Sequence, residues 1–281
     1  MLFGAHVSIA GGIQNSPKRS LDLGGEVFQI FSRSPRGGKA PEITSDIISE
    51  FNLNLKKYKQ REFYIHTPYY INLGSSNNRI YHGSISVLGE ELERGSKLGA
   101  KYLMTHLGSA KDLGEKESFK KVVEGIKGVL KNYQGSTQFL IEIAAGAGKI
   151  IGNDFQEIAK IIKEVEKKND FKNALGVCFD TAHAFASGYD LRNKKSVKKT
   201  FDDFDKIIGL ERLKLIHGND SMVDFDSKKD RHENIGKGKI GMAGFEAIIS
   251  NKRLKNINMI IETPGDDERV KDLEVLKKLR G

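Results

Sequence analysis

The sequence predicts an α/β protein of the (β/α)₈ or TIM-barrel class, one domain over residues 1–281. Three observations carry that expectation. Short apolar runs alternate with helix-patterned stretches from end to end, so the sheet should be parallel. There are eight such runs, spaced by roughly one βα unit each. Seven of them close on a metal-capable side chain, and a barrel brings such ends to one face, whereas in an open doubly wound sheet they lie along a line.

In order, LFGAH closes at His6, VFQIF leads into Ser32 and Arg33, FYIH closes at His66 and YLMTH at His106. QFLIE closes at Glu142, GVCFD at Asp180, LKLIH at His217 and NMIIE at Glu262. Helical stretches fill the intervals. TSDIISEFNLNLKKYK places Ile47, Ile48, Phe51, Leu55 and Tyr58 on one stripe. NDFQEIAKIIKEVEKK does the same with Phe155, Ile158, Ile161, Ile162 and Val165, and Asn153 with Gln156 three residues on reads as a capping box. DDERVKDLEVLKKLR begins with acids and ends with bases, as a helix dipole prefers, and turns Val270, Leu273, Leu276 and Leu279 inward. No Pro- or Ser-rich linker and no solenoid-type repeat interrupts the pattern, which makes one domain the economical reading.

Composition narrows the class. A chain with 38% hydrophobic and 30% charged residues is globular rather than disordered. The single cysteine, Cys178, rules out an internal disulfide framework and lies in an apolar run, where a buried small residue is expected rather than a nucleophile. No apolar stretch is long enough to span a membrane, and MLFGAHVSIAGG does not read as a signal peptide. A cytoplasmic protein, associated with the nucleoid when bound to DNA, is expected. Net charge +9 and a pI of about 9.3 favour a polyanionic partner, nucleic acid first, although many lysines sit on ordinary solvated helix faces.

The chemistry is argued jointly. The chain has seven histidines, four of which close apolar runs beside three carboxylates that do the same. Carboxylates converging in a protein interior repel and are costly to desolvate, and divalent cations remove that cost. Two loops add ligands: His183 in GVCFDTAHAFASGYD, three residues after Asp180, and Asp230 with His232 in DRHENIGKGKIG. Alternate residues of an extended loop point the same way, so Asp230 and His232 can grip one ion and, with His183, make a three-ligand set open to substrate. His183 and Asp180 are expected to address neighbouring ions. The sum is His66, His106, His183, His217, His232, Glu142, Asp180, Asp230 and Glu262. Nine nitrogen and oxygen ligands suit three ions better than two. Zinc fits best, with manganese or iron as alternatives. His6 is expected near the site but without a metal or an obvious partner, and His82 away from it.

These motifs resemble the endonuclease IV family of apurinic/apyrimidinic endonucleases over nearly the whole chain: GAHVSIAGG, HTPYYINLG, THLGS, GVCFDTAHAFASGYD, HGND and DRHENIGKGKIG. The resemblance implies a first ion on His66, His106 and Glu142, a second on Glu142, Asp180, His217 and Glu262, and a third on His183, Asp230 and His232. It departs at Ile143 and Ala144, where the family usually has Asn-Thr, at Ala182, usually Cys, and at Met222, usually Lys. The first of these departures removes polar groups beside a bridging ligand.

The resemblance implies a metal-dependent DNA repair hydrolase. It would cut the phosphodiester 5′ to an abasic site and leave a 3′-hydroxyl and a 5′-deoxyribose phosphate. A hydroxide shared between two ions would be the nucleophile, with Glu142 and Glu262 as catalytic carboxylates. The partner would be double-stranded DNA containing abasic sites, bound by a monomer without nucleotide cofactor. The abasic nucleotide would be extruded, and Arg36 and Tyr69 match the positions that fill the gap. Basic loop residues such as Arg33 and Lys39 should contact phosphates. Two other readings compete: a metal-dependent sugar isomerase or epimerase on a xylose isomerase-like barrel, and a DNA-binding module with structural metals. The DRH loop and the basic charge favour phosphate chemistry over the first. The open three-ligand set argues against the second.

Overall fold

In the computed structural model, which describes residues 1–167 and 171–281, the eight apolar runs are eight strands. They are β1 (Phe3–His6), β2 (Val27–Phe31), β3 (Phe63–His66), β4 (Tyr102–Thr105), β5 (Gln138–Glu142), β6 (Leu175–Asp180), β7 (Leu213–His217) and β10 (Asn258–Ile261). All neighbours are parallel, and β1 closes the barrel by pairing with both β2 and β10. His106 and Glu262 each fall one residue beyond their strand, within the ordinary uncertainty of a boundary.

The period of two along each strand sorts the side chains. Val27, Tyr64, Met104, Leu140, Cys178, Leu215 and Ile260, one from each of seven strands, form a separate buried cluster inside the barrel. Their neighbours in sequence, such as Phe28, Phe63, Leu103, Ile141, Phe179 and Ile216, face outward into the larger core shared with the helices. Two residues beyond the inner plug, on the same face, come His66, His106, Glu142, Asp180, His217 and Glu262. Apolar packing thus ends one layer below the polar ring, at the carboxyl ends of the strands where barrel active sites are built. Cys178 belongs to the plug, and burial pushes its thiol up to about 12, so it is a packing residue.

The helices follow the sequence pattern. They are α1 (Ser16–Asp22), α2 (Ser45–Lys57), α3 (Asn78–Leu98), α4 (Glu115–Leu130), α5 (Phe155–Val165), α6 (Thr181–Ala186), α7 (Lys194–Ile207), α8 (Gly241–Ile249) and α9 (Asp266–Arg280). Thr44 caps α2 by accepting from the Ile47 amide. The cap of α5 is Asp154 and not Asn153: the Asp154 side chain accepts from the Glu157 amide at 3.0 Å. Adjacent Asn and Asp are equally good caps, and the chain uses the one whose backbone is extended immediately before the first turn. Lys168, the last residue of the predicted helical stretch, lies outside the described residues. No helix is long and apolar enough to cross a membrane among the described residues.

An antiparallel pair, β8 (Asp220–Ser221) and β9 (His232–Glu233), rises beyond β7 and presents the DRH loop to the strand ends. Asp220 pins it. Its wholly buried carboxylate accepts from the amides of Ser221 (2.7 Å), Gly236 (3.0 Å), Gly238 (3.0 Å) and Ile240 (2.9 Å). Gly238 is required there: a β-carbon on it would lie 2.5 Å from Asp220 Oδ1.

Candidate metal centre

Six strand ends set the deepest part of the site. Glu142, at the end of β5, is buried and addresses two sides at once. Its Oε2 lies 2.7 Å from His66 Nε2 and 3.6 Å from His106 Nε2, while its Oε1 lies 2.9 Å from His217 Nδ1. His217 Nδ1 also faces Glu262 Oε2 at 3.5 Å and Asp180 Oδ2 at 3.8 Å. One group of donors is therefore His66, His106 and Glu142, and a second is Glu142, Asp180, His217 and Glu262.

The third group comes from the loops. His183 Nε2 is 3.2 Å from Asp230 Oδ1 and 3.3 Å from His232 Nε2, and the remaining edge, His232 Nε2 to Asp230 Oδ1, closes at 3.5 Å. Four ligands at about 2.0–2.1 Å around a tetrahedral zinc would be about 3.3–3.4 Å apart. This triangle has that edge length, so the donor set fits such an ion. Asp180 stands between the groups. Its Oδ1 caps α6 by accepting from the His183 amide at 2.8 Å, and its Oδ2 faces His232 Nε2 at 3.6 Å as well as His217. Asp180 and His183 thus face neighbouring groups, and Asp180 also borders the third.

Three of the ring nitrogens not aimed at these clusters are held elsewhere, while His106 Nδ1 is buried without a hydrogen-bond partner among the described residues. His66 Nδ1 meets the Thr67 carbonyl at 2.7 Å, His183 Nδ1 the Ile143 carbonyl at 3.0 Å, and His217 Nε2 the Gln29 side-chain oxygen at 2.7 Å. Such outer contacts fix the tautomer and leave the facing nitrogen free to ligate. The partner of His183 at Ile143 is a backbone carbonyl, so the apolar side chain there leaves this orienting contact intact.

The electrostatics express the same convergence. Burial raises the Glu142 carboxyl, but the imidazoles of His106, His217 and His66 outweigh it and hold the group well below the usual carboxylate range. Glu262 behaves likewise beside His217 and His6. Burial opposes charge on His183, yet Asp180 and Asp230 push its imidazole up to about 10. Burial also opposes ionisation of Asp230, but its contact with His183 brings it down to about 2. His106, where burial prevails, is lowered. A cluster this dependent on opposite charge is well suited to divalent cations, which displace the protons shared by such groups.

The remaining predicted residues divide. Tyr69 is 72% exposed and lines the same cavity of about 320 Å³ as His66, His106, His183, Asp230, His232 and Glu262; the edge of Phe31 steadies its ring at 5.2 Å. Arg36 is exposed too, but it lines a neighbouring cleft with Tyr70 and Arg79. Lys39 is exposed in the same loop. Arg33 is not available to phosphate. It is 4% exposed, its Nε donates to Glu91 Oε1 at 2.6 Å and its Nη2 pairs with Glu90 at 2.7 Å. Glu91 and Arg94 of α3 also bind Ser32, so this network anchors the loop that carries Arg36. His82 is exposed on α3. His6 does have partners: Gln29 Nε2 at 2.9 Å and Glu262 Oε1 at 3.6 Å. Gln29 and Asn219 were not foreseen. Asn219 donates to Asp180 Oδ2 at 2.7 Å and accepts from the Glu262 amide at 2.7 Å, tying two candidate ligands together. Polar side chains at inward or strand-end positions were the available signal for both.

Comparison with known proteins discriminates between the barrels that could carry this site. The family model described as xylose isomerase-like TIM barrel matches residues 17–279. A probable endonuclease 4 from Halothermothrix orenii is 39% identical over 280 residues, covering 100% of this chain and 99% of that protein. The crystal structure of endonuclease IV from Thermus thermophilus superposes with a TM-score of 0.87 at 30% identity, covering 99% of this chain and 98% of that one. A D-tagatose 3-epimerase-like protein superposes at 0.73 with 19% identity, covering 99% and 97%, which is a likeness of fold alone. With full-length similarity of that strength on the nuclease side, the chain belongs to the endonuclease IV family of apurinic/apyrimidinic endonucleases.

Proposed function

We propose that the protein hydrolyses the DNA phosphodiester 5′ to an abasic site, leaving a 3′-hydroxyl and a 5′-deoxyribose phosphate, with three zinc ions held by the nine residues above. The observation that carries this reading is the third triangle, His183, Asp230 and His232, standing beside the two groups that share Glu142. Two adjoining groups would also suit sugar isomerisation; a third, open toward the cavity, suits the extra charge of a phosphate. Bound there, divalent ions would acidify water and neutralise charge developing on phosphate oxygens.

The chain's own residues supply the rest. Glu142, held well below the usual carboxylate range by its imidazole neighbours, and Asp180, buried beside it, line the deep face and keep it rigid. Glu262, whose Oε1 is held by Gln29, keeps Oε2 toward the cluster and orients the attacking water. Tyr69, exposed at the cavity, is placed to occupy the space of a missing base, since a lesion is already unstacked and costs less to extrude than a paired nucleotide. Arg36 sits one loop away and contacts the backbone beside the lesion. DNA with abasic sites is accordingly the substrate, and the net charge of +9 supports its long-range attraction. The test is a defined duplex with one abasic site: a single nick on the 5′ side that disappears with chelator and returns with zinc supports the reading. Interconversion of a keto-sugar without any nick would place the protein with the epimerases instead.

A further inference from the structure

The three imidazoles with a held outer nitrogen are not held alike. His66 and His183 are oriented by backbone carbonyls, which no substitution can remove. His217 is oriented by a side chain, Gln29, at the inward-facing centre of β2 and wholly buried. The Gln29 amide makes three contacts. Its Nε2 lies 2.7 Å from Glu262 Oε1 and 2.9 Å from His6 Nδ1, and its Oε1 lies 2.7 Å from His217 Nε2.

The chemistry leaves one consistent assignment. An ionised carboxylate can only accept, so the amide nitrogen must face Glu262. The amide oxygen then faces His217, and only a proton on Nε2 satisfies it. Nδ1 is thereby left as the one atom of His217 that can ligate, and it faces Glu142 Oε1 at 2.9 Å, Glu262 Oε2 at 3.5 Å and Asp180 Oδ2 at 3.8 Å. A ring nitrogen surrounded by carboxylate oxygens calls for a cation among them, either a proton or the metal ion that displaces it. The same amide occupies Glu262 Oε1 and leaves Oε2 for that cation. It also makes His6 Nδ1 an acceptor, which keeps His6 off the cluster.

We propose that Gln29 is a positioning residue that selects the ligating atom of both His217 and Glu262, and so sets the affinity of the second metal group. This rests on the trinuclear reading above. Gln29 reaches neither the cavity nor substrate, and it acts through its two partners.

The test uses the full chain and zinc alone as probe. Gln29→Met preserves volume and removes all three polar contacts. Zinc content under graded chelator should show one ion weakened by about 10–100-fold, the range for loss of such outer contacts, with the other two retained. Nicking should fall in kcat with KM little changed. The same three-ion chelator profile as the parent would overturn the proposal, because packing alone would then explain the residue. A parent protein that binds no zinc would instead overturn the trinuclear reading and this inference with it. A measurement on the unmutated protein covers the case in which the variant does not fold. Nitrogen-15 histidine spectra should show His217 protonated on Nε2, with His66 and His183 protonated on Nδ1. A His217 proton on Nδ1 in the zinc-loaded protein would refute the assignment outright.

Discussion

Replacing Asp220 by alanine measures how strongly the third ligand group depends on the loop that carries it. The Asp220 side chain is not among the nine candidate ligands, yet four of its five amide donors, Gly236, Gly238, Ile240 and Gly241, lie just beyond His232. A hydrogen bond to a charged acceptor contributes about 1.5–3 kcal/mol. Five would sum to more than the protein can lose in practice, because water entering the space left by the carboxylate recovers part of the loss. A net destabilisation of about 3–5 kcal/mol, the scale for breaking a buried network, is the expectation. In a chain of this size 1 kcal/mol moves Tm by roughly 2–4 °C, so Tm should fall by about 6–20 °C. The strain falls on one loop, and residues 230–241 should open before the barrel does. The assay is thermal unfolding of zinc-loaded protein with zinc counted on the same sample: the variant should lose one ion and keep two. A Tm within about 2 °C of the parent together with an unchanged zinc content would refute the reasoning.

Two further expectations concern substrate and pH. Tyr69→Ala should bind intact duplex about as well as the parent but lose roughly 10-fold of its preference for abasic duplex, about one stacked ring's worth of free energy; competition binding checks this, and an unaltered preference would argue against insertion. In metal-stripped protein the contribution of His183 is complete below its unfolded value of about 6.5 and is lost as pH rises through about 10. That of Asp230 is complete above about 3.9 and is lost as pH falls through about 2. The stripped protein should therefore weaken from neutral pH upward, while zinc, which must displace the His183 proton, should stabilise more over the same interval. Melting curves of stripped and zinc-loaded protein between about pH 6 and 9 should diverge as pH rises, and convergence would contradict the assignment.

Most of the barrel and the convergence of its six polar strand ends can be read from the sequence because both follow from a period of two. A strand that buries Met104 or Leu140 inside the barrel must present His106 or Glu142 on the same side, one layer up. Partnership is what the sequence conceals. Arg33 looks like any basic loop residue until the fold brings Glu91, 58 positions later, within 2.6 Å of it. Gln29 carries a signal, a polar residue with the parity of the inward face of VFQIF, but its three partners come from three other strand ends, β1, β7 and β10, and only closure of the barrel joins them. The Asn153–Asp154 choice fails for a smaller reason, a shift of one residue between two side chains with the same capping chemistry.

The central claim is that nine residues hold three ions and that the loop ligands hold the third. Elemental analysis of the purified protein and of His232→Ala, each dialysed against trace zinc, tests it most directly. The account predicts close to three zinc ions per chain in the parent and close to two in the variant, with nicking of abasic duplex lost. One ion or none in the parent, or three in an active His232→Ala, would contradict it.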